Sequence, residues 1–178
     1  MSLAHRHLPS YTVDDYQQWE GRWELVGGIP YAMSPSPDYT HQRVGVRISW
    51  QLEERLKDCP PCVALHETDW HVARDTIVRP DNMVVCQPPT DERVERTPAV
   101  IFEIVSKGSA DKDESLKYEL YEQEGVPYYV LLYPDRRLAK IYRLTQGRFG
   151  RMADASEETV DFALPSCTLA FDFSLVWP

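Results

Sequence analysis

The stretch Val100–Tyr121, VIFEIVSKGSADKDESLKYELY, begins as a strand and ends as a charged helix, with one carboxylate, Glu103, inside its apolar half. Side chains alternate along a strand, so Ile101, Glu103 and Val105 share one face while Val100, Phe102 and Ile104 share the other. Both faces are apolar apart from Glu103, the pattern of a strand covered on both sides. An unpaired ionised carboxylate there would cost several kcal/mol or more, so Glu103 needs a cation. RPDNMVV repeats the anomaly, because Asp81 shares a face with Met83 and Val85. If the two strands are neighbours the acids converge, and like charges that close repel unless a metal lies between them. Carboxylate oxygens are ligands of the kind Mg²⁺ takes. The plainer alternative pairs each acid with an arginine or uses it to cap a turn.

The second half of the stretch predicts a helix over Ala110–Glu124, stopped by Gly125 and Pro127. Leu116 and Leu120 repeat at i, i+4 and are expected to face the core, with Lys117 and Tyr121 one position further round. Lys117 then borders the buried face, where an ammonium could stabilise a negative transition state or position and activate a water. The ordinary alternative is a surface lysine paired at i, i+4 with Asp113.

Working outward, RWELVGGIPYAM alternates around Gly27-Gly28 as a hairpin does. Asp14–Glu20 suggests a short helix, and Val44, Ile48, Leu52 and Leu56 recur every four positions in a longer one that starts near Asp38. Short strands follow from Val63 to Cys86, then a polar loop over Gln87–Thr97. After the 110–124 helix come strands at Tyr128–Tyr133 and Leu138–Leu144 and a weaker β region ending in FDFSLVWP. Helices interleaved with strands predict an α/β (α+β) fold, a central mixed β-sheet flanked by helices. At 178 residues, with no internal repeat or long linker, the chain reads as one domain over 1–178, with residues 1–10 as a flexible N-terminal extension.

Hydrophobic residues at 43% and charged residues at 26% are globular values. The N-terminus lacks the apolar core of a signal peptide, and the longest apolar run, Val126–Pro134, is far short of the ~18 residues of a membrane span, so a cytoplasmic location and no membrane contact are expected. A net charge of −9 argues against nonspecific coating of nucleic acid. Arg136, Arg137, Lys140, Arg143, Arg148 and Arg151 nevertheless form a run free of acids, either a phosphate-contacting strip or a solvated hairpin face. Four cysteines are too few for a disulfide framework in a chain this long, and Cys59–Cys62, CPPC, follows a helix instead of opening one, so it reads as a turn and not as a redox pair.

WELVGG, the early-helix His41, RPDNMVV, the FEIVS strand, DESLKYELY and EGVPYYVLLYP together resemble the Uma-two family of restriction endonucleases, within the PD-(D/E)XK nuclease superfamily. The resemblance runs from about Tyr11 to Leu144. It implies a restriction-endonuclease-like core and Mg²⁺-dependent hydrolysis of DNA phosphodiester bonds, with Mn²⁺ as a substitute metal. Pro80-Asp81 matches the PD element and Glu103 the second acid; Glu24 matches an upstream acid that can complete the metal shell. The resemblance thus implies Asp81, Glu103 and Lys117 as catalytic residues, Asp81, Glu103 and Glu24 as metal ligands, and Glu24, His41 and Tyr121 as support. Val105 stands where the superfamily expects lysine, and the family moves that lysine to the following helix, here Lys117. Lys107 is a rival, since it would share the face of Glu103 and Val105 if the strand continued. Histidine at 41 could approach the scissile phosphate or a second metal, or bond a neighbouring loop. His66 and Glu67 are weaker candidates, and no nucleic-acid-binding residue is assigned. A homodimer would supply the two symmetric sites that double-strand cleavage needs. The alternative to an enzyme is a catalytically silent nuclease-fold module that binds nucleic acid or protein.

Overall fold

The computed structural model describes residues 9–33, 38–106 and 108–178. Of the expected extension over 1–10, all but Pro9 and Ser10 lie outside the described residues, as does the rival lysine, Lys107. In chain order come α1 (Val13–Tyr16), the hairpin β1 (Trp23–Val26) and β2 (Ile29–Ala32), α2 (Tyr39–Leu56), then β3 (Cys62–His66), β4 (Trp70–Ala73), β5 (Thr76–Val78), β6 (Asn82–Cys86) and β7 (Val100–Ile104). After the helix that ends as α3 (Lys117–Gln123) come β8 (Tyr128–Tyr133), β9 (Leu138–Thr145), β10 (Arg148–Ala155), β11 (Thr159–Ala163) and β12 (Thr168–Asp172).

Six strands form the main sheet in the order β10-β9-β8-β7-β6-β3; a second sheet runs β2-β1-β5-β4, and β11 pairs with β12. Within the main sheet only β7 and β8 run parallel, joined by the α3 crossover, as a parallel pair requires. The sheet is mixed and helix-flanked, and the fold is α+β, as expected. All five residues of β7 are buried because both its faces are covered. Phe102 and Ile104 face α2, whose Val44, Ile48 and Leu52 lie against them with β12's Phe171. Ile101 faces the other way, toward Tyr121 of α3, Tyr129 and Trp70. Each of these side chains, fully withdrawn from water, contributes about 1.5–3 kcal/mol.

The Gly27-Gly28 hairpin forms as the alternation suggests, with φ of 57° and 76° that a side chain would resist. Asp38 caps α2 by accepting the His41 backbone N–H at 2.8 Å. The first helix is shorter than Asp14–Glu20, because a Thr12–Asp15 capping box starts it at Val13 and Gly21, at φ 91°, soon turns the chain.

Two other expectations need correction, and one open alternative is decided. The helix after β7 carries one wide turn over Lys112–Leu116, in which the Lys117 N–H bonds the Lys112 carbonyl five residues back. Its buried face is therefore Asp113, Lys117 and Tyr121, while Leu116 and Leu120 are only half-buried. The cysteines do pair: Cys59 with Cys167, and Cys62 with Cys86 across the β3–β6 ladder. CPPC is thus a turn whose two thiols go to different partners. The basic run is not one strip, since strand alternation sends Arg143 toward Tyr128 and Lys140 toward Tyr133, while Glu122 and Asp154 pair with Arg148 and Arg151.

Candidate active site

In the β6–β7 register Asn82 faces Phe102 and Met83 faces Ile101, so one step further Asp81 stands opposite Glu103. The two acids meet where β6 begins and β7 ends. Asp81 N–H lies 3.4 Å from Glu103 Oε2, and Ile104 N–H donates to Asp81 Oδ2 at 2.7 Å. β7 continues its pairing one residue further, through Val105 N–H to the Leu132 carbonyl, before Ser106 enters a turn closed by Ser109.

The missing cation on the Glu103 face comes from α3. Lys117 Nζ sits 2.8 Å from Glu103 Oε1, 2.9 Å from Glu24 Oε1 and 3.8 Å from Asp113 Oδ1. Tyr121, one turn later, donates its hydroxyl to the same Glu103 oxygen at 2.9 Å. Lys117, Glu103, Glu24 and Asp113 are each at most 2% exposed, so this is a buried ionic cluster and not the surface pair that the Lys117–Asp113 spacing also allowed. His41, brought in by the first turn of α2, places Nε2 3.2 Å from Asp81 Oδ2.

Glu24 arrives from β1, and both its oxygens are engaged. Oε1 takes Lys117 and the Arg79 N–H at 2.9 Å, and Oε2 takes Lys112 at 2.5 Å. A metal at Glu24 would have to displace one of these partners. The hydrogen bonding instead makes Glu24 the anchor that holds Lys117 and Lys112 in place.

Burial opposes the charge on every one of these acids, and the outcome depends on what else each carboxylate touches. Burial alone would raise Glu24, but Lys117 and Lys112 hold it down at about 2. Asp81 is also low, because the His41 contact and the Ile104 N–H outweigh its burial. At Glu103 burial prevails over Lys117, with repulsion from Asp81 adding to it, and the carboxyl lies well above its ordinary value. Asp113 is raised for the same first reason. Lys117 is held well above its ordinary value, since Glu103, Glu24 and Asp113 overcome the burial that would lower it. The contact with Asp81 likewise raises His41 against the effect of burial.

Glu24, Asp81, Glu103 and Asp113 gather here around two lysines, and a cation bound at Asp81 and Glu103 would favour the ionised form that burial opposes at Glu103. Asp81 Oδ1 accepts no hydrogen bond among the described residues, and Glu103 Oε2 takes only the long contact from Asp81. No three His, Cys, Asp or Glu side chains among the described residues form a ready-made cage. Two carboxylates with free oxygens suit Mg²⁺, which keeps several waters and is bound through one or two carboxylates. The acids open onto a cleft of about 580 Å³, walled by His41, Lys112, Lys117 and Ser109 and rimmed by the Arg22–Glu67 pair at 2.9 Å.

The residues expected at the site, Asp81, Glu103, Lys117, Glu24, His41 and Tyr121, are all brought together. His66 is held aside, its Nδ1 on the Asp81 carbonyl at 2.8 Å, while Glu67 joins the rim. Sequence reasoning missed Lys112 as the second cation on Glu24. It saw Asp113 only as a surface partner, although the i, i+4 spacing to Lys117 was the signal for both readings.

The architecture is a shared one: the chain is similar, with a TM-score of 0.74 over 93% of this chain and 97% of the other at 16% identity, to a crystal structure from Anabaena variabilis described as a "putative nuclease belonging to DUF820". The chain belongs to the Uma2 family, described as "Putative restriction endonuclease", whose model matches residues 13–174. No curated protein matches at a significant level.

Proposed function

We propose that this chain is a Mg²⁺-dependent endonuclease that hydrolyses DNA phosphodiester bonds. The observation that carries the reading is the meeting of Asp81 and Glu103 on adjacent antiparallel strands at a cleft, with Lys117 fixed 2.8 Å from the second acid. Asp81 and Glu103 would hold the metal through the oxygens their neighbours leave free. The bound ion supplies Lewis acidity and a water of lowered pKa at the phosphate.

The remaining residues prepare that place. Lys117, kept protonated by three carboxylates, points a fixed positive charge at the Glu103 oxygen and into the cleft, where it can orient a water or offset charge that develops on the phosphate. Glu24 and Tyr121 position the lysine and the acid respectively, and so have no need to touch the substrate. His41, whose pKa the contact with Asp81 raises, lines the same cleft and holds that carboxylate in place. Carboxylates that hold a cation at the cleft would let an acidic chain take a polyanion, because the cation would stand between them. Family membership supports a nucleic acid as substrate.

Supercoiled plasmid incubated with Mg²⁺ or Mn²⁺ tests the reading. The wild type should nick it, and Asp81→Asn, Glu103→Gln and Lys117→Ala should each lose the activity while staying folded. Equal nicking by all four proteins would refute the assignment, and intact plasmid with the wild type would favour the silent binding module.

A further inference from the structure

The outer face of α2 and its C-cap carry Tyr39, Arg43, Val46, Trp50, Glu53 and Lys57, all exposed. Along a helix, these six positions fall within an arc of about 80°. Tyr39 is 74% exposed, Val46 60% and Trp50 57%, and these are three of the six large exposed hydrophobic residues among those described. A surface helix ordinarily turns charged and polar side chains outward, so this apolar stripe lacks a partner.

The stripe is also its own complement. Read forward from 39 and backward from 57, it sets Tyr39 against Lys57, Arg43 against Glu53 and Val46 against Trp50. We propose that a second copy of this chain covers it, α2 lying antiparallel on α2 about a two-fold axis level with Ile48. In an isologous contact each of these pairs occurs twice. Val46 and Trp50 of both copies form the apolar centre, Arg43–Glu53 ion pairs flank it, and Lys57 lies over the Tyr39 ring. A parallel pairing would instead set Arg43 on Arg43 and Glu53 on Glu53.

The present contacts leave these groups available. Among the described residues neither Arg43 nor Glu53 has an ion-pair partner; Arg43 reaches only the Tyr39 hydroxyl, at 3.2 Å. Lys57 is held by Glu54 at 2.6 Å, an exposed pair that is easily exchanged. The stripe is about 27 Å long, and a face of helix width covers on the order of 400 Å² per copy. That is below the ~800 Å² of a standard interface, so association in the micromolar range is expected. The first turns of the two helices, each carrying a His41, would then lie at opposite ends, roughly 20 Å apart along the axis.

Sedimentation equilibrium of the full chain across the micromolar range tests it. The wild type should pass from monomer to dimer. Arg43→Glu and Glu53→Arg should each weaken the dimer by about tenfold or more, and the double exchange should restore it, because the pairs re-form with their signs reversed. Trp50→Glu should remain monomeric, with an unchanged circular dichroism spectrum and melting temperature as the check on folding. A wild type that stays monomeric at the highest concentration overturns the proposal. So does a dimer indifferent to the exchanges, or one that the double exchange fails to restore.

Discussion

Replacing Lys117 with Met removes the one charge among the described residues that touches Glu103, Glu24 and Asp113 together, while keeping most of the side-chain volume. The three carboxylates are at most 2% exposed, so water cannot take the place of the ammonium. Lys112 remains on Glu24, but Glu103 keeps only the Tyr121 hydroxyl and the long contact from Asp81. Breaking a buried pair by removing one partner costs about 3–5 kcal/mol. For a chain of this size each kcal/mol lowers the melting temperature by about 2–4 °C, so the loss should be about 6–20 °C by calorimetry in a metal-free buffer. Glu103→Gln should cost much less, since burial already favours the uncharged form of that carboxyl. The sharper test is the cycle between them. Because Lys117 and Glu103 share a 2.8 Å contact, the double variant should be more stable than the sum of the single losses allows, by about 0.5–3 kcal/mol. Additive losses, or a Lys117→Met shift within a degree or two, would show that the lysine does not balance the acids in the way described.

Four further outcomes are expected. The Glu24 carboxyl is held at about 2 in the folded chain against an ordinary value of 4.5, so its stabilisation is complete above the latter and lost as pH falls toward the former. Acid unfolding should therefore steepen over that window, and Glu24→Gln should flatten it by about 3 kcal/mol in denaturant titrations at the two ends. Mg²⁺ at a hundredfold excess over its dissociation constant should stabilise the wild type by about 2.7 kcal/mol; a thermal-shift gain that survived in Asp81→Asn would place the ion elsewhere. Tyr121→Phe leaves the packed ring and deletes the hydroxyl on Glu103, which should cost about 1–3 kcal/mol, and an unaltered melting temperature would mean that the hydrogen bond contributes nothing. Thiol titration of the unfolded, unreduced protein should find no free cysteine, and replacing Cys59 and Cys167 by Ser should cost on the order of 4–5 kcal/mol for a loop spanning 108 residues.

Much of the main sheet could be read from β7 and β6, because a strand apolar on both faces has one place to go and an acid inside it has few acceptable partners. Alternation assigned Glu103 and Asp81 to faces that the β6–β7 register then brings together. The helix was harder. Its leucines suggested one buried face, but hydrophobicity cannot show that Lys117 will be buried more fully than Leu116 when three carboxylates wait beneath it. The wide turn over Lys112–Leu116 leaves no recognisable mark in composition. The disulfides escaped for a different reason: Cys59 and Cys167 are 108 residues apart, and only the finished fold makes them neighbours. Of the two readings of the basic run between 136 and 151, the continuous strip fails because adjacent residues on a β-hairpin look in opposite directions.

The wide turn makes the helix answerable to length more than to composition. It holds one residue more than a regular turn, which sets the phase between the half that carries Asp113 and the half that carries Lys117. Inserting a further residue into it would rotate the two halves against each other by about 100°, so that both could no longer look at Glu103. Such a chain would keep every charged group of the cluster and still lose the cluster. Relatives whose lysine sits on a helix should therefore tolerate substitutions in this segment far better than insertions, and alignments that misplace the extra residue would misassign the lysine.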